Sequence, residues 1–193
     1  VAVVMGGSVK GYENKYAKIA ERVSTDHGLT VFVASTPIDS WEGKNAFNNF
    51  ELIMNCIAKY MEDFEISDYF VYTMGISAGG SFLLWYAYLY PMIKRVLAVN
   101  PVLRINLHRT KDGIAKFNGD FIILIFGEQD PSACFAPLLD SRANVVILSD
   151  TDHQFRGNLE EFIELPEKYI FNHQNEAAVS GANDWVYENA YFK

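Results

Sequence analysis

The chain has 193 residues, half of them hydrophobic, with 14 Phe, 11 Tyr and 3 Trp. This apolar content suits one globular domain with a sizeable core and excludes a disordered or low-complexity chain. A formal charge of −8 argues against a nucleic-acid partner, because backbone binding needs clustered Lys and Arg.

Strand-length apolar runs alternate with helix-length segments along the chain. Val1–Met5 is fully apolar and reads as a first strand. Tyr12–Val23 reads as a helix, with Tyr16, Ile19, Ala20 and Val23 on one face; His27-Gly28 ends it, with glycine in its usual place past a helix C-terminus. Leu29–Ala34 reads as a second strand. Phe47–Phe64 reads as a long helix carrying Phe50, Ile53, Met54, Ile57, Tyr60 and Met61 at helical spacing. Tyr69–Met74 is a third strand, and Ala78–Tyr90 a helix apolar nearly all round, so a buried one. Arg95–Val99, Phe121–Phe126 and Val145–Leu148 complete the strands, and Asn158–Phe171 is a last amphipathic helix. Pro101–Asn118 has no clear period and carries Arg104, His108, Arg109 and Lys111; it reads as a short insertion near the site. Strands alternating with helices predict right-handed crossovers and a three-layer, doubly wound α/β fold. The strands are continuously apolar, as expected of a mostly parallel sheet covered on both faces.

The opening run is too short for a signal sequence and has no basic lead. Phe82–Ile93 is interrupted by Pro91 and too short to span a bilayer. The two cysteines show no zinc or redox spacing; Cys56 reads as a core residue, and Cys134, after a turn, as partly exposed. The expected setting is reducing and cytoplasmic. Neither a metal nor a cofactor is expected: the histidines lack ligand spacing, and Gly6-Gly7 lacks the Gly-Lys-Ser/Thr of a phosphate loop.

The most informative stretch runs from Phe70 to Gly80. It contains G-x-S-x-G as Gly75-Ile76-Ser77-Ala78-Gly79, after a strand and before a helix. A sharp strand-to-helix turn strains the serine backbone and leaves no room for side chains two residues either side. The serine Oγ then stands above the sheet, at a helix N-terminus that favours developing negative charge. A serine hydroxyl needs a base, and the base needs an orienting carboxylate. His153 follows the sixth strand, on the sheet edge where ligand sites of open α/β folds form. Asp130 follows the fifth strand on the same edge, with Glu128 its nearest rival. His27 reads as a helix-end residue, His173 lies in the tail, and His108 is the alternative base. Oxyanion donors are expected from the backbone N–H groups of Ala78 and of Gly7, the latter in the Gly6–Ser8 loop after the first strand.

These motifs resemble the α/β-hydrolase superfamily over roughly Val1 to Phe171: the elbow at Gly75–Gly79, the Gly127–Asp130 turn, Asp152-His153-x-Phe155, and the Met5–Ser8 loop. The resemblance implies a sheet order of 2-1-3-4-5-6, a minimal core lacking the superfamily's first hairpin, and a catalytic domain over 1–171 followed by a tail over 172–193. It also implies hydrolysis of a small-molecule carboxylic ester through a Ser77-His153-Asp130 triad. Met5 departs from the pattern, since the superfamily often has His there. Acyl transfer to another acceptor, or a catalytically silent binding protein on the same fold, are the alternatives.

Overall fold

The computed structural model describes residues 1–7, 11–36, 43–139 and 142–172. The apolar runs form β1 (Ala2–Gly6), β2 (Val31–Ser35), β3 (Val71–Ile76), β4 (Ile93–Val99), β5 (Phe121–Gly127) and β6 (Ala143–Leu148). They build one parallel sheet in the order β2-β1-β3-β4-β5-β6, as expected. The helices are α1 (Lys15–His27), α2 (Gly43–Asp63), α3 (Ala78–Tyr86), α4 (Leu107–Lys116) and α5 (Leu159–Pro166).

Strand alternation divides the core into two layers. Val3 and Met5 of β1 pack with α2, α3 and Ile114 of α4 on one face; Ala2 and Val4 pack with α1 and α5 on the other. Every residue of α3 is buried, as its continuous apolarity requires. Gly28 ends α1 in the left-handed region (φ 64°), its N–H donating to the Ser24 carbonyl.

The structure corrects the sequence reading in several places. Pro101–Asn118 is no irregular insertion: it holds a 3-10 turn (Leu103–Ile105) and then α4, whose N-terminus is capped by Asn106 Oδ1 accepting from Arg109 N at 3.1 Å. The helix is short, and Gly113, a poor helix former, sits on its buried face, which hid the periodicity. Gly113 is needed because a Cβ there would lie 1.9 Å from the Leu84 carbonyl oxygen of α3. Cys56 is exposed, because the buried stripe of α2 runs through Ala46, Phe50, Met54, Ile57 and Met61 and bypasses it. The expected helix after Ser77 stops at Tyr86 and continues as a 3-10 turn, Ala87–Leu89; the last helix stops at Pro166 and continues as a π turn, Glu167–Phe171. Ser8, His173 and the tail beyond it lie outside the described residues.

Candidate active site

β3 extends two residues further than its apolar run suggested and delivers Ser77 directly onto α3. Ser77 has φ 54° and ψ −117°, a conformation that side chains rarely adopt and that costs on the order of 1–3 kcal/mol. Its neighbours make the turn possible. A Cβ on Gly75 would meet the Gly79 carbonyl at 2.6 Å, and one on Gly79 would meet the Met5 carbonyl oxygen at 2.5 Å. The Ser77 N–H donates to the Val99 carbonyl at 2.9 Å, so the turn is anchored to β4.

The ring of His153 lies beside this hydroxyl, with Nε2 3.0 Å from Ser77 Oγ. Its Nδ1 hydrogen-bonds Asp130 Oδ2. The Asp130 side chain is 1 % exposed, whereas that of His153 is 33 % exposed, so the imidazole runs from a buried carboxylate to the half-buried Ser77. An ionised carboxylate only accepts, so Nδ1 is the donor of this pair, and in the neutral ring Nε2 is then the nitrogen left to accept from the serine. The other Asp130 oxygen accepts from the Ser132 N–H at 2.6 Å. The Ser132 hydroxyl in turn accepts from Leu103 N at 3.4 Å, tying the Asp130 loop to the chain after β4.

The rival residues stand elsewhere. Glu128 accepts from Asp150 N at 3.1 Å through Oε2. His108 is exposed on α4. His27 pairs with Glu167 at 2.5 Å and stacks on Phe171.

Met5 pairs with Gly75 across β1 and β3, and Gly7 and Ser77 each lie two residues further on. β1 and β3 are parallel neighbours in the sheet, so the chain leaving β1 at Gly7 and the serine turn leave the same sheet edge, at its switch point. Gly7 is exposed, and nothing lies within 4 Å of where its Cβ would be. Gly6 serves packing instead, since a Cβ there would meet the Tyr16 ring at 2.3 Å. Ala78 is the first residue of α3, so its N–H is among those left free of intrahelical bonding.

Sequence reading missed the buried polar groups behind these residues. Asn100, just past β4, is fully buried and bonds the His153 loop. Lys15, the first residue of α1, is also fully buried, and its ammonium donates to the Gln154 carbonyl at 2.9 Å. An asparagine ending an apolar strand on the site edge was the available signal for the first; a lysine opening a helix carries no comparable mark.

No protein-family model matches the chain, and no curated protein sequence matches it. Solved structures do match. An esterase domain from Rhodothermus marinus is 12% identical, with 86% of this chain and 83% of that one covered and a TM-score of 0.60. An alpha-beta serine hydrolase homologue from Coxiella burnetii is 17% identical over 86% and 82% of the two chains, with a TM-score of 0.60. XC6422 from Xanthomonas campestris, described as an a/b serine hydrolase without lid, is 17% identical over 86% and 79%, with a TM-score of 0.58. The chain has the α/β-hydrolase fold. Among the described residues, no helix is long and apolar enough to cross a membrane, and no cluster of three or more His, Cys, Asp and Glu could hold a metal ion.

Proposed function

We propose that this chain is a serine hydrolase that cleaves small-molecule carboxylic esters. The observation that carries the reading is the relay itself: Ser77 Oγ 3.0 Å from His153 Nε2, with Nδ1 bonded to the buried Asp130. Ser77 Oγ attacks the ester carbonyl while His153 Nε2 takes its proton. The new C–O bond leaves a tetrahedral oxyanion, received by the N–H groups of Ala78 and Gly7. Asp130 stabilises the imidazolium through Nδ1–H without accepting its proton. His153 then protonates the departing alcohol as its bond to carbon breaks. Water, deprotonated by the same nitrogen, attacks the acyl-enzyme; collapse releases the acid and returns the proton to Ser77.

A fluorophosphonate probe with peptide mapping tests the nucleophile. Ser77 is the residue expected to carry the label, and an unlabelled Ser77 in folded protein would sink the proposal. In a p-nitrophenyl ester assay, Ser77→Ala and His153→Ala should abolish turnover with the fold intact. Asp130→Asn should lower kcat by about 10⁴-fold. Labelling without turnover across an ester panel would favour a transferase acting on another acceptor.

A further inference from the structure

Asn100 lies outside the relay but bonds the main chain of His153 and that of Gly127, three residues before Asp130. It follows the last residue of β4 and is fully buried. Its backbone has φ 46°, a left-handed conformation that asparagine tolerates better than most residues. That turn brings its amide under the loop after β6. The Nδ2 group donates to the carbonyl of His153 at 3.0 Å and to that of Asp152 at 3.4 Å. The Oδ1 atom accepts from the Gly127 N–H at 2.8 Å, and the Asn100 N–H donates to the Ile125 carbonyl at 2.8 Å.

One amide group therefore grips the end of β5, three residues before Asp130, and the main chain of the base. The two segments also meet where the Gln129 N–H donates to the Thr151 carbonyl at 3.0 Å and where Asp150 N donates to Glu128, and they lie so close that a Cβ on Gly127 would be 2.3 Å from the Thr151 carbonyl oxygen. Asp152 holds its own loop by accepting from Gln154 N at 2.9 Å and Arg156 N at 3.0 Å. Those bonds shape the loop internally; the Asn100 amide ties the main chain of His153 itself to the end of β5. The imidazole of His153 has to satisfy two bonds at once, to Ser77 and to Asp130, and a shift of about 1 Å in such an arrangement costs on the order of 10²-fold in rate.

We propose that Asn100 is a positioning residue that holds the backbone of His153 in register with Asp130. The proposal rests on the hydrolase reading, and its test includes a readout that needs no turnover. Asn100→Gly removes the amide while suiting the left-handed backbone; Asn100→Asp keeps the volume and the Gly127 bond but turns an oxygen toward two carbonyls. Both are assayed for cooperative unfolding, ester kinetics and the ¹⁵N-histidine spectrum, with His153→Ala supplying the assignment. Folded Asn100→Gly is expected to lose about 10- to 100-fold in kcat with KM changed less than about threefold. The His153 nitrogen shifts should move away from the Nδ1–H form. Asn100→Asp should show the same direction of change. Wild-type kcat and unchanged His153 shifts in either folded variant would overturn the proposal. Failure of both variants to fold would also overturn it, by making Asn100 a residue of the fold alone. If the wild type turns over no ester, the hydrolase reading falls, while the histidine spectra still report whether Asn100 sets the ring.

Discussion

Lys15 provides a pH-dependent test of the buried polar framework behind the site. Its ammonium is fully buried, 4.3 Å from the centre of the Phe162 ring, and donates to the Gln154 carbonyl. Desolvation pulls its pKa down to about 8, against a smaller opposing pull from Asp152. The folded chain therefore releases this proton near pH 8, while the unfolded chain keeps it to the ordinary lysine value of about 10.4. Between those values the unfolded state binds more protons, so the Lys15 contribution to stability rises with pH. With about 1.4 kcal/mol per pH unit as the limiting slope, wild type should gain about 1.5 kcal/mol on Lys15→Met between pH 8 and pH 9.5. Below about pH 7 the difference should be flat. At neutral pH two effects oppose each other: methionine removes the desolvated charge but leaves the Gln154 carbonyl without its donor, at about 1–3 kcal/mol. The slope is therefore the decisive quantity. Urea unfolding of both proteins from pH 6 to 9.5 measures it. The upper limit stays below pH 10, because burial pushes Tyr16 up to about 12 and its unfolded counterpart begins to ionise near 10, an effect of opposite sign. Parallel curves for the two proteins would refute the reasoning.

Gly113→Ala should lower stability by about 1–3 kcal/mol despite alanine's better helix propensity, because its Cβ would lie 1.9 Å from a backbone carbonyl. A raised Tm would contradict the close crossing of α3 and α4. Cys56→Ser should change stability by less than about 0.5 kcal/mol, and both cysteines, which are exposed, should react with Ellman's reagent in native protein. A Cys56 thiol that reacts only on unfolding would return it to the core.

The Ser77 turn was readable from residues adjacent in sequence, and the reason is steric. Gly75 and Gly79 flank Ser77 because the turn leaves no room for a Cβ at either place, a constraint generated within five residues. The placement of His153 and Asp130 was readable because both follow apolar runs of strand length on one sheet edge. Cys56 was misread because it lies beside the buried stripe of α2, and apolar character alone does not separate a stripe from its border. α4 was missed because its buried face is made partly of Gly113 and Thr110, which carry little hydrophobic signal.

The sequence by itself determined the alternation of strands and helices, the strained serine turn, and which residues could end strands near it. These follow from local periodicity and local sterics. Only the tertiary structure decided that His153 bonds Asp130 while Glu128 bonds Asp150, that Asn100 grips the main chain of His153, and that Lys15 is buried behind its loop. Those contacts join residues 22 to 139 positions apart. Register and layer packing bring such residues together, and no pattern in a short window encodes the meeting.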